Sequence, residues 1–231
     1  MKTKQKVAII SIIISIIVIS SITILNPQLI DRAFYRMGLQ EQICFPVINE
    51  EFQSDNAVNI AVAGDFGINE NSLKTLKNIQ SSNPEIILIT GDLGQSTAKE
   101  WIEFSEFMEK NKIYITLGDS DLSERNDYLK HSALNDEYYS FDYQNIHFLA
   151  ISTNEEKDDE FGIFSDPMQL DFIITDLSNA ANNSETDWVI VFLHHPMYTS
   201  TPNFYSMDLK SLLQPTFDLY GVNLVINGHK H

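Results

Sequence analysis

Four apolar, β-type runs in this chain stop on Gly followed by a metal-ligand residue. They are Ala61-Val62-Ala63-Gly64-Asp65, Leu88-Ile89-Thr90-Gly91-Asp92, Ile115-Thr116-Leu117-Gly118-Asp119 and Val225-Ile226-Asn227-Gly228-His229-Lys230-His231. A fifth run, Val189 to Leu193, ends on His194-His195-Pro196 without the Gly. Ligands of open α/β sheets bind outside the carboxyl ends of the strands. Strands that each deliver a carboxylate or an imidazole there predict one site assembled from distant segments. Gly before each ligand suits a turn that needs φ > 0 or a close backbone approach. Carboxylates with imidazoles suit Zn, Mn or Fe.

The elements between these stops set the fold class. Val58–Ala63, Glu85–Thr90 and Ile113–Leu117 read as strands, separated by helical patterns over Asn71–Ser81 and Ala98–Lys110. That β-α-β-α-β order predicts a parallel sheet with right-handed crossovers. Tyr138–Tyr143 then alternates with period two, Gln144-Asn145 marks a turn, and Ile146–Ser152 is a further strand. A hairpin is antiparallel, so mixed strand order enters here. Asp158–Ser165 reads as a loop. Asp166-Pro167 predicts a cap and first turn for a helix over Met168–Leu177. Trp188–Leu193 reads as a buried strand, Met207–Leu213 as a short helix and Val222–Ile226 as a last strand.

The N-terminus differs in character. Val7 to Leu25 carries no charge and as a helix would span about 28 Å, close to the hydrocarbon core of a bilayer. Lys2, Lys4 and Lys6 precede it with no acid, which predicts a cytoplasmic N-terminus and an exported remainder. The segment reads as an uncleaved single-pass anchor. The alternative is a signal peptide and secretion, although Ile22-Thr23-Ile24-Leu25 offers no small-x-small cleavage site. Residues 26–56 read as a stalk and 57–231 as the domain. Net charge is −17, and three of the 15 Lys/Arg precede the anchor, so the exported part is more acidic still. A nucleic-acid partner is excluded, because tracking phosphates requires clustered Lys/Arg. Cys44 is the one cysteine, which excludes an internal disulfide and a Cys-based zinc site.

Taken in order, Gly64-Asp65-Phe66-Gly67, Gly91-Asp92, Gly118-Asp119-Ser120-Asp121, His194-His195-Pro196 and Gly228-His229-Lys230-His231 resemble the motifs of the calcineurin-like metallophosphoesterases. The Asp-x-Gly form of the first motif is similar to the branch of the purple acid phosphatases. The resemblance implies an α/β sandwich of four layers, two mixed sheets flanked by helices, with the second sheet left incomplete at His231. It implies two divalent metal ions (Mn, Zn or Fe), a phosphorylated small molecule or phosphoester as substrate, and attack by a metal-bound hydroxide. Asp65 and His231 would bind the first ion, Asp92 would bridge, and His194 and His229 would bind the second. Asp119 stands where the family has an Asn ligand. Asp121 falls at the acidic position of the same motif and is grouped with Asp92 and His195 as catalytic.

Two departures bear on turnover. Ser120 replaces the His thought to protonate the leaving group or hold the phosphate, a role worth about 10²–10⁴-fold in rate when it is general acid catalysis. Gln95 replaces the Tyr that binds ferric iron in purple acid phosphatases, so neither their colour nor an Fe(III) preference is expected. His195 is the nearest candidate to stand in for the missing His. These departures leave a second reading open, in which the domain is a weak or inactive relative that binds metal or phosphate at a surface. His131 and His147 read as surface or packing residues, Ser120 is not expected to act as a nucleophile, and the aromatic hairpin reads as core.

Overall fold

The computed structural model describes residues 57–94, 97–108, 112–154, 163, 166–200 and 204–230. The anchor, the stalk, most of the 158–165 loop, Gln95 and His231 lie outside them. Among the described residues, no helix is long and apolar enough to cross a membrane.

Among the described residues, seven strands form two sheets. Strands β1 (Ile60–Ala63), β2 (Ile86–Thr90) and β3 (Ile113–Thr116) pair in that order and run parallel. Strands β4 (Tyr139–Tyr143), β5 (Ile146–Ile151), β6 (Trp188–Leu193) and β7 (Leu224–Ile226) form the second sheet. There β4 is antiparallel to β5, and the other pairs are parallel. Mixed order thus belongs to the second sheet. The first is parallel throughout its described strands, not mixed, because each of its connections includes a helix rather than a hairpin turn.

Helices cover the outer faces. Helices α1 (Glu70–Ser81), α2 (Ala98–Phe104) and α3 (Arg125–His131) pack on the first sheet through Leu76, Trp101 and Tyr128 against Ile87 and Ile89. Helices α4 (Pro167–Asn182) and α5 (Phe204–Tyr220) pack on the second through Ile173, Leu177, Leu209 and Leu213. Between the sheets lie Ile86 and Leu88 of β2, Phe148 and Ala150 of β5, and Ile190 and Phe192 of β6. All five β2 residues are buried, since helices and the second sheet cover its two faces. The result is the four-layer sandwich.

The aromatic hairpin is core. Phe141 stacks between Tyr114 and Phe148, with ring centroids 3.6 and 4.7 Å away. The Tyr139 hydroxyl donates to the Ile115 carbonyl at 2.8 Å, fastening one sheet to the other.

Helix boundaries follow local chemistry. Asn69 caps α1 by accepting from the N–H groups of Asn71 and Ser72 at 2.9 and 3.1 Å. Asp166 caps α4 in the same way, with Pro167 in the first turn. Helix α2 stops at Phe104, short of the expected Lys110, and Ser105 Oγ donates back to the Trp101 carbonyl at 2.8 Å. Helix α5 is longer than the expected Met207–Leu213 and runs through Pro215. An interior Pro costs about 3 kcal/mol, and burial of Leu209, Leu213 and Phe217 along one face offsets it. The 3₁₀ turn Asp119–Glu124 and α3 have no counterpart in the pattern, because they bury few apolar side chains.

His147 is a packing residue of a particular kind. Its Nδ1 lies 2.7 Å from Asp142 Oδ1 on β4 and its Nε2 lies 2.8 Å from Asp176 Oδ2 on α4. A carboxylate oxygen at each ring nitrogen favours the protonated ring, in which both nitrogens can donate. Burial alone would lower its pKa, but the bonds to Asp176 and Asp142 outweigh burial and raise it. A pKa raised above the unfolded value of about 6.5 gives stability that is full below that pH and lost as pH rises through the folded value. Thermal unfolding followed by circular dichroism should therefore show Tm falling as pH rises above about 6.5. Asp176→Asn should flatten that slope and cost about 1–3 kcal/mol.

Candidate metal centre

The strand ends converge. Asp65 follows β1, Asp92 follows β2 and Asp119 follows β3; His194 and His195 follow β6 and His229 follows β7. Backbone bonds tie the turns together: Asp65 N–H donates to Gly91 O at 3.0 Å, Phe66 N–H to Asp92 O at 2.8 Å and Gly228 N–H to His194 O at 3.0 Å.

The glycines serve close approach more than turn freedom. At Gly91 φ is +87°, and an added Cβ would sit 2.5 Å from His194 Nδ1. Gly118 has an ordinary φ, but a Cβ there would sit 2.5 Å from Asp92 N and 2.8 Å from His194 Cε1. Three of the ligand candidates bear the left-handed conformation themselves: φ is 54° at Asp65, 50° at Asp92 and 71° at His229.

His194 is fully buried, and its Nδ1 lies 2.7 Å from the Thr90 carbonyl. A carbonyl can only accept, so the proton is on Nδ1 and the Nε2 lone pair faces the site. That Nε2 is 3.1 Å from Asp119 Oδ1, 3.2 Å from His229 Nδ1 and 3.6 Å from Asp92 Oδ1. His229 Nδ1 is also 3.2 Å from Asp119 Oδ1, and its backbone N–H donates to both Asp65 oxygens at 2.9 and 3.0 Å. Ser120 contributes its backbone N–H, which donates to Asp92 Oδ1 at 3.1 Å.

Two donor groups result, each with ligand atoms within 4.8 Å of one another: Asp119, His194, His195 and His229, and Asp65, Asp92 and His194. They share His194. Nitrogen and oxygen donors aimed at common points, one of them an imidazole whose far nitrogen is held by a carbonyl, form a donor set that a divalent cation fits.

Electrostatics distinguish the members. Asp119 is half exposed. Burial raises its pKa, but the bond from its own backbone N–H and the adjoining His194 and His229 rings bring it below the usual carboxylate range. Burial, then the neighbouring His194 and His229, push His195 down to about 3, so this ring is neutral at physiological pH.

Asp121 has a different place. Its Oδ1 accepts the Leu93 N–H at 3.0 Å and its Oδ2 the Gly118 N–H at 2.8 Å. Burial, with a contribution from Asp92, raises its pKa to about 6 against the pull of these two bonds. Its carboxylate clamps the turns after β2 and β3 from behind and joins neither donor group. His231 lies outside the described residues.

The sequence pattern passed over two site residues. The Thr90 carbonyl orients His194, and a backbone carbonyl carries no residue signature. Thr153 is fully buried past the end of β5, with its Oγ1 against His195. Its position at a strand end was the available sign, but neither Gly nor a ligand type marked it. Next to it, Asn154 Nδ2 donates to the Leu117 carbonyl at 2.8 Å, tying the end of β5 to that of β3.

Residues 58–231 match the family model of the calcineurin-like phosphoesterases, and the chain belongs to that family. It is 26% identical over 199 residues to purple acid phosphatase 22 of Arabidopsis thaliana, covering 75% of this chain and 44% of that protein. To phosphoenolpyruvate phosphatase of Allium cepa it is 21% identical over 210 residues, covering 78% and 42%. The chain thus spans less than half the length of these two relatives. A solved structure described as GAP50, the anchor in the inner membrane complex of Plasmodium, aligns with TM-score 0.59 at 18% identity, over 75% of this chain and 66% of that one. That likeness is one of fold.

Metal binding should register as stability. A ligand that binds only the folded state at 100 times its Kd adds about 2.7 kcal/mol. Titration with Mn²⁺ or Zn²⁺ should raise the Tm of the wild-type domain. Gly118→Ala, whose methyl collides with the turn that carries Asp92, should lose most of that rise.

Proposed function

We propose that the domain hydrolyses phosphate esters at a site holding two divalent ions, Mn, Zn or Fe. The observation that carries this reading is the pair of donor groups that overlap at His194. In this reading Asp65 and Asp92 hold one ion; Asp92, Asp119, His194 and His229 hold the other; and His231 adds to the first. Bound ions would polarise phosphoryl oxygens and lower the pKa of an attacking water. Asp92 is the proposed bridge, with its Oδ1 kept in place by the Ser120 N–H. Asp121 holds the two turns in register and acts as a positioning residue.

His195 is proposed to contact the phosphoryl group by hydrogen bonding, since its ring borders both His194 and His229, with centroids 4.9 and 4.3 Å away. Ser120 supplies no group that titrates near neutrality, so substrates with good leaving groups suit this site best. Aryl phosphates, aryl phosphodiesters and anhydrides are of that kind. The Lys-flanked apolar segment Val7–Leu25 supports placing the domain outside the cytoplasm on a single anchor.

The test is hydrolysis of p-nitrophenyl phosphate and bis(p-nitrophenyl) phosphate by the metal-loaded protein. Turnover is expected, and Asp92→Ala should lower kcat/KM by more than about 100-fold, beyond what losing an outer partner of a ligand costs. Wild-type rates equal to those of Asp92→Ala, together with less than one bound ion per chain, would sink the proposal.

A further inference from the structure

Thr153 stands on the second sheet beside the donor groups without belonging to either. Its side chain is fully buried. Its Oγ1 accepts the backbone N–H of His195 at 3.0 Å and lies 3.1 Å from His195 Nδ1. One oxygen thus meets both the main chain and the ring of a residue 42 positions away. A hydroxyl has one proton and two lone pairs. With one lone pair on the N–H, the proton or the second lone pair remains for Nδ1, so the contact serves either neutral tautomer. Because Nδ1 is engaged, Nε2 is the nitrogen left to face the cluster, 4.0 Å from Asp119 Oδ1.

The placement of Thr153 is itself built. The backbone N–H of the preceding Ser152 donates to Gln169 Oε1 at 2.9 Å, and Ser152 Oγ donates to Glu137. Glu137 in turn pairs with Arg125. Asn154, on the other side, holds the Leu117 carbonyl. Thr153 therefore sits on a segment fixed at both neighbours, as a group that aims another side chain requires.

We propose that Thr153 is a positioning residue that aims His195 Nε2 at a phosphoryl group bound on the cluster. The inference rests on the phosphoesterase reading above and adds to it a residue that acts through His195. Thr153→Val keeps the shape and removes both bonds; Thr153→Ser keeps the oxygen.

The experiment is a mutant cycle on the metal-loaded protein, with p-nitrophenyl phosphate turnover and inorganic phosphate binding by calorimetry as separate readouts. Thr153→Val should lower kcat and weaken phosphate binding about 10-fold each, with bound metal unchanged, in line with losing the partner that orients a site imidazole. Thr153→Ser should recover to within about 2-fold of wild type, by retaining the hydroxyl. In a His195→Ala background, Thr153→Val should change neither readout further. Equal values for wild type and Thr153→Val overturn the proposal. So do effects that multiply in the double variant, since Thr153 would then act without His195. If the valine variant does not fold, Thr153→Ala and Thr153→Cys take its place in the cycle. A wild type that binds phosphate but does not turn over defeats the hydrolase reading alone, and the binding cycle still decides the role of Thr153. A wild type that neither binds phosphate nor turns over overturns both.

Discussion

His194 Nδ1 donates its proton to the carbonyl of Thr90 at 2.7 Å, across 104 residues of sequence and from one sheet to the other. Both donor groups depend on this bond. It fixes the tautomer, so that the nitrogen with the lone pair is the one facing Asp92, Asp119 and His229. It also requires the ends of β2 and β6 to lie side by side, which the buried face of Leu88, Ile190 and Phe192 brings about. Packing between the sheets and ligand chemistry are thus one constraint seen at two scales. A slip of one residue in β2 would turn Leu88 away from the second sheet and take the Thr90 carbonyl with it.

On the proposed reading, charge is the reason a cation would have to sit in the cluster before phosphate could approach it. Asp65, Asp92 and Asp119 lie among imidazoles, at least one of which, His195, is neutral at physiological pH. The chain as a whole carries −17. A phosphate dianion approaching three carboxylates meets like charge until cations sit among them. The same ions would answer the departure at Asp119, where an acid adds a negative charge to a position that a neutral amide fills in the family.

Strand ends were legible in the sequence because period-two and continuous apolar runs stop abruptly on Gly-Asp or His-His. The order of those stops foretold both the sheet and the residues gathered at its carboxyl end. Less legible were α3 and the 3₁₀ turn before it, whose few buried side chains leave no period, and the reach of α5 through Pro215, where tertiary burial overrides local preference. Roles within a motif were the hardest to read. Asp119 and Asp121 are two positions apart on one short turn, yet one faces the ligand cluster and the other faces two backbone amides. That difference is set by where neighbouring turns present their N–H groups. Thr153 and the Thr90 carbonyl carry no compositional mark and become visible only through their partners.

Asp65, Asp92 and His229 hold left-handed backbone conformations that glycine would adopt freely. A residue with a Cβ gives up roughly 1 kcal/mol or more at each such position. The turns that shape this site are therefore also where the fold is most open to improvement. Selection for thermal robustness alone would favour glycine at these positions and erase the ligands as it gained stability. A relative that had lost its chemistry would be expected to drift that way. Asn83, Ala133 and Gln144 hold the same conformation away from the site, so at Asp65, Asp92 and His229 it is the place of the side chain in a donor group, and not the strain itself, that decides what exchange for glycine would remove.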